Sequence, residues 1–204
     1  MLNVVILNGG RGASTIIPSL LARQRLHITS VVNAYDDGKS TGLIRRFFGM
    51  LGPSDIRKVQ ELMLPKDDPN HENYVTLFQY RFPLDCKRED VLEQLKLFLD
   101  SESIELMGIH LNNIKVREML KFFLAEFLTG LNTIEKARQE QFDFADCSIM
   151  NCIYAGAFLA SNRNIEQATI SVDRLFQLDG TVLPTSIEDK KLVAQRENGE
   201  ILYS

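Results

Sequence analysis

Val4 to Leu7 is an unbroken apolar run with no polar alternation. That is the pattern of a strand buried on both faces, as in a parallel sheet. It runs into a glycine-rich turn, Asn8-Gly9-Gly10-Arg11-Gly12. From Ala13 to about Arg25 the apolar residues Ile16, Ile17, Leu20 and Leu21 recur at helical spacing, and a second apolar run covers His27 to Asn33. Strand, glycine turn, helix and strand together form a βαβ unit.

The polar stretch Tyr35-Asp36-Asp37-Gly38-Lys39-Ser40-Thr41-Gly42 follows the second run, at its carboxyl end. In open α/β sheets that end of the strands is where ligands bind. Leu43 to Phe48 reads as a short helix ending near Gly49. Pro53-Ser54-Asp55 reads as a helix start, with Ile56 to Leu64 as the body. Tyr74 to Phe82 is also expected to be helical. From Arg88 to about Gln141 the spacing is helical almost throughout, with Val91, Leu92, Leu95, Phe98 and Leu99, then Met119, Leu120, Phe123, Leu124, Phe127 and Leu128. Helices at Ile149 to Ala160 and Ile165 to Phe176 follow. Val182 to Ser186 and Leu192 to Arg196 are strand-like, and Asn198-Gly199 is a strong hairpin turn.

The predicted architecture is α/β: a Rossmann-like, mainly parallel sheet flanked by helices, with an inserted helical block and a C-terminal β-hairpin. Residues 1–87 and 142–204 form the α/β domain. Residues 88–141 form the insertion, read as a cap over the site. A chain of 204 residues with 45% hydrophobic residues can bury a core without staples. The net charge of −4 gives no bulk attraction to nucleic acid or to an anionic membrane. Cys86, Cys147 and Cys152 suit neither a CxxC redox motif nor a zinc knuckle. With no signal-peptide pattern and no long apolar span, the expected location is the cytoplasm.

Three segments carry candidate chemistry. Glycines in the first turn let backbone N–H groups approach an anion, and Arg11 adds a charge-assisted contact. The third glycine of a full GxGxxG is missing, so a tight turn without a ligand is kept as the alternative reading. Asp36 and Asp37 offer carboxylates for Mg²⁺ or for a polar ring or ribose. Adjacent residues point different ways, so one functional member is expected. Ser54-Asp55-Ile56-Arg57 combines a helix cap, an acid and a base. His71 and His110 are isolated, and no role is assigned to them.

Taken in order, these motifs resemble a known family. Gly9-Gly10-Arg11-Gly12-Ala13-Ser14 resembles the GGTGxS opening of the CofD/YvcK family. Asn33 to Gly42 is similar to its ADDGGSSG segment, and Gly49 to Arg57 to its G-x-x-PPGDIR segment. Phe78-Gln79-Tyr80-Arg81-Phe82 resembles its F-x-YRF signature. Ser148-Ile149-Met150-Asn151 stands where the family has S-x-GN, and Gly180 to Ser186 is similar to its G-x-VLPxT. The resemblance implies a Rossmann-like fold. It also implies one of two roles. One is a 2-phospho-L-lactate transferase, which moves phospholactate from a guanosine diphosphate-linked donor to a deazaflavin acceptor with Mg²⁺. The other is a YvcK-like, non-catalytic nucleotide- or nucleotide-sugar-binding regulator of carbon metabolism or cell shape.

Carried over by motif, Asp37 is the implied catalytic residue and Mg²⁺ ligand. Gly9, Gly10, Arg11, Gly12, Asp36, Ser40, Asp55, Arg57, Ser148 and Asn151 are the implied nucleotide contacts. The expected partner is a nucleotide-linked small molecule, with a homodimer as the oligomeric option. Three positions depart from the family pattern: Arg11 replaces a threonine, Lys39 a glycine, and Met150 the glycine of S-x-GN. The family continues beyond the VLPxT segment into a glycine-proline-glycine-serine loop. These 204 residues are therefore expected to be a fragment or a shortened relative.

Overall fold

The computed structural model describes residues 1–23, 25–100, 102–188, 190 and 193–203, without the side chains of Arg11, Lys39 and Tyr203. β1 (Leu2–Asn8) pairs in parallel with β2 (Leu26–Val32), and β2 pairs in parallel with β5 (Thr181–Pro184), giving the order β1-β2-β5. The predicted α/β fold, with its parallel sheet and packed helices, is therefore present. The C-terminal hairpin is present too, as β6 (Val193–Gln195) against β7 (Ile201–Tyr203). Leu192, expected to start its first strand, lies outside the described residues.

The sheet is sided. Ile28, Ser30, Val32 and Val182 are buried on one face. On the other, Val5 is 64% and Leu7 78% exposed. The expectation that β1 is buried on both faces is thus corrected. It is an edge strand with β2 as its one partner among the described residues, and its continuous apolar run reads the same whether or not the second face is covered.

The first helix is shorter than expected. A 3-10 turn at Arg11–Ala13 precedes α1 (Ile16–Leu21), which tolerates Pro18 because the residue lies in its first turn. α2 (Lys39–Phe48) starts earlier than the apolar pattern showed and ends at Gly49 in the left-handed conformation (φ 60°). α3 (Ser54–Leu62) matches its expected span closely, and α4 (His71–Gln79) stops before Tyr80. Arg81 is in extended backbone, bridged antiparallel to Ser148.

The helical block is not continuous. Between α5 (Arg88–Leu99) and α6 (Ile114–Arg138) lies a small hairpin, β3 (Glu105–Leu106) with β4 (Ile109–His110). Asn113 caps α6 by accepting from the Val116 N–H at 3.2 Å.

α7 (Ile149–Ala160) is the central helix, and every residue from Ile149 to Phe158 is buried. α6 packs on it with almost no clearance. A Cβ on Gly156 would lie 1.7 Å from the Phe123 carbonyl oxygen, so only glycine fits. α8 (Ile165–Leu175) joins the same core through a buried polar relay. The Tyr154 hydroxyl donates to Gln60 Oε1, Gln60 Nε2 donates to Asp173 Oδ1 at 2.7 Å, and the Val182 N–H donates to Asp173 Oδ2 at 2.8 Å. This relay ties α3, α7, α8 and β5 together. Burial raises the Asp173 pKa from its usual 3.8 to about 6, although both hydrogen bonds act to lower it.

Candidate functional site

The site grows from the carboxyl ends of β1 and β2. At the end of β1, Asn8 Nδ2 donates to Ser30 Oγ at 2.5 Å, and Asn8 Oδ1 accepts from the Gly10 N–H at 3.0 Å, which folds the chain into the glycine turn. Gly10 has φ +87°, and a Cβ there would lie 2.6 Å from Asp55 Oδ1. The glycine turn thus rests directly on the first turn of α3, joining two motifs that are far apart in sequence. Gly9 and Gly12 are exposed and have no such neighbour. Asp55 pairs with Lys58 at 2.8 Å.

At the end of β2 the acidic loop divides its two carboxylates. Asp36 Oδ1 accepts from the Gly38 N–H at 3.2 Å, a local turn contact. Asp37 faces Arg45 at 3.7 Å and lines a cleft of about 730 Å³. Ser40, Leu43, Arg46 and Asp146 also border that cleft. Arg45 is 5% exposed and braces the loop: Nη1 donates to the carbonyls of Tyr35 (3.1 Å) and Asp36 (3.3 Å), and Nη2 to that of Lys190 (2.9 Å). A buried, always-charged guanidinium holding three carbonyls fixes the loop more firmly than its own turns could. The Thr41 and Ser54 hydroxyls share a hydrogen bond that ties α2 to α3.

A second cleft of about 300 Å³ lies beside the glycine turn, bordered by Gly10, Ser14, Arg57, Lys58, Glu61 and Arg81, among others. Arg57 is 4% exposed and donates to the Phe78 carbonyl at 2.6 Å. Its pKa is lowered to about 10, first by burial and then by the positive charge of Arg81. Ser148 and Asn151, both fully buried, open α7. The Ser148 hydroxyl and both amide atoms of Asn151 have no hydrogen-bond partner among the described residues.

Of the site residues expected from sequence, Asp37 and Ser40 border the larger cleft, Gly10 and Arg57 the smaller, and Asp55 lies under Gly10. Ser148 and Asn151 sit at the start of the buried central helix. The Arg11 side chain lies outside the described residues. Sequence reasoning did not single out Arg45, Arg81 or Asp146. Arg45 and Arg46 before Gly49 read as ordinary cations in the last turn of a helix, and Arg81 as one letter of an aromatic motif.

A parallel sheet whose strand ends carry a glycine turn, an acidic loop and buried arginines defines the chain as a Rossmann-like α/β protein. The comparisons make this specific. The family model described as 2-phospho-L-lactate transferase CofD matches residues 4–204, and the chain belongs to that family.

A gluconeogenesis factor of Listeria innocua is 42% identical over 82 residues, covering 40% of this chain and 24% of the relative. A putative gluconeogenesis factor of Nostoc is 38% identical over 79 residues, covering 39% and 16%. A crystal structure of a UPF0052 family protein from Bacillus halodurans superposes with a TM-score of 0.61 at 20% identity, covering 99% of this chain and 45% of that one. The chain matches about a quarter or less of these curated relatives' length and under half of the solved structure.

Proposed function

We propose that the chain binds a nucleotide-linked, phosphate-bearing small molecule across the strand ends and acts as a ligand sensor rather than a transferase. The observation that carries this is the Asp37–Arg45 pair lining the larger cleft at the end of β2, with a glycine turn seated on α3 at the end of the neighbouring strand β1. The acidic loop is held rigid by Arg45, so its polar groups are set in place before a ligand arrives. The curated relatives reported above are named gluconeogenesis factors rather than transferases, and that naming is why the binding reading is put first.

Mg²⁺ enters as part of the ligand. Among the described residues no group of three His, Cys, Asp or Glu side chains could hold a metal alone. Asp37, Asp143 and Asp146 all border the larger cleft, and one or two carboxylates there fit the usual arrangement for this ion, in which substrate phosphates and water supply most ligands. Asp37 is the residue that would hold it, and the ion would neutralise phosphate charge.

The second reading is the phospholactate transfer for which the family model is named. The two are separated by one pair of assays. Calorimetry of the chain with nucleoside diphosphates and nucleotide sugars, with Mg²⁺, is expected to show binding. Incubation with a guanosine diphosphate-linked phospholactate donor and a deazaflavin acceptor is expected to release no GMP. Release of GMP would overturn the sensing reading in favour of transfer, and no binding by any nucleotide would overturn both.

A further inference from the structure

We propose that Arg57 and Arg81 together form a phosphate subsite that takes a doubly charged phosphoryl group, with Arg81 as the bridge between the two clefts. Four observations carry it.

The first is position. Arg81 borders the smaller cleft with Gly10 and Arg57, and its Nη1 lies 3.4 Å from the hydroxyl of Ser40, which borders the larger one. The second is unspent donors. Arg81 Nη1 donates to the Asp146 carbonyl at 2.6 Å and lies 3.4 Å from the Asp146 carboxylate. Its Nε and Nη2 join no hydrogen bond among the described residues. Arg57 Nε is buried and likewise unpartnered. A buried donor without a partner costs free energy, and a phosphate oxygen is a strong acceptor for it.

The third is charge. Arg57, Lys58 and Arg81 border the smaller cleft against the single acid Glu61. Glu61 accepts from Gln79 Nε2 at 2.5 Å, and Lys58 is already paired with Asp55. The two guanidiniums are close enough for Arg81 to weaken proton binding by Arg57. A dianion between them would relieve that repulsion.

The fourth is rigidity. The Phe82 N–H donates to the Cys147 carbonyl at 2.9 Å and the Ile149 N–H to the Tyr80 carbonyl at 3.3 Å. Arg81 is therefore clamped by its backbone to the start of α7, and the subsite does not depend on a loose loop.

The inference rests on the proposed nucleotide reading only for the identity of the molecule that carries the phosphate. Titration calorimetry with pyrophosphate, guanosine diphosphate and guanosine separates the two. The intact chain is expected to bind pyrophosphate. Arg81→Gln should weaken that binding about 10- to 100-fold, the loss of charge-assisted contacts. Arg81→Lys, which keeps the charge but not the fork, should fall between. Lys96→Gln, on the exposed face of α5, should leave it unchanged. Pyrophosphate binding absent from the parent chain, or equally tight with Arg81→Gln, would overturn the subsite. Pyrophosphate bound as tightly as guanosine diphosphate would remove the nucleotide reading and leave the subsite standing.

Discussion

Replacing Gly10 with alanine tests whether the glycine turn is truly built against α3. A side chain at φ +87° costs about 1–2 kcal/mol of backbone strain. The new Cβ would also meet Asp55 Oδ1 at 2.6 Å, Cγ at 2.7 Å and Cβ at 2.9 Å. Moving that carboxylate away from Lys58, or the turn away from α3, adds about 1–3 kcal/mol of overpacking. The expected destabilisation is about 2–5 kcal/mol. For a chain of this size that lowers the melting midpoint by about 2–4 °C per kcal/mol.

Gly12→Ala is the matched control. Its Cβ would meet nothing within 4 Å. Stability should hold or rise by up to about 1 kcal/mol. Urea unfolding followed by far-ultraviolet circular dichroism measures both. Adding Asp55→Gly to Gly10→Ala should return the steric part and leave the strain, a coupling of about 1–3 kcal/mol. If Gly10→Ala proves as stable as Gly12→Ala, the glycine turn does not rest on α3 and the reasoning fails.

Three further outcomes are expected. Asp37→Asn should weaken Mg²⁺-dependent nucleotide binding by calorimetry far more than Asp36→Asn, because Asp37 borders the cleft while Asp36 serves a turn that asparagine can also make; equal losses would contradict the division of the pair. Asp173 adds a pH dependence to stability. Its folded pKa of about 6 exceeds its usual 3.8, so its contribution is full below 3.8 and is lost as the pH rises through about 6. The loss is on the order of 3 kcal/mol, and Asp173→Asn should flatten that slope in denaturant titrations across about pH 4 to 7. Gly156→Ala should prevent α6 from closing on α7, giving insoluble protein or a cost above about 3 kcal/mol; a soluble variant of unchanged midpoint would refute the close crossing.

The opening unit was legible because strand, glycine turn and second strand are signalled locally. Hydrophobic periodicity placed α3, α7 and α8 well for the same reason. The β3–β4 hairpin escaped because strands of two residues show no alternation, and the flanking apolar residues keep helical spacing across it. The exposed face of β1 escaped because an apolar run states what a strand could bury, not what covers it. In the site, motif order indicated that Gly10 and Asp55 matter, and the fold puts them in contact. Arg45 and Arg81 were less legible: both act through backbone carbonyls supplied by distant segments, Lys190 for one and Asp146 for the other. No local spacing announces such partners.

The most direct test of the central claim is an amide nitrogen–proton spectrum of the chain titrated with guanosine diphosphate and Mg²⁺. Shifts concentrated at Gly10, Asp37 and Gly42, with smaller ones at Ser148, are the result predicted by a nucleotide site at the strand ends. An unchanged spectrum, or shifts confined to α5 and α8, would contradict it.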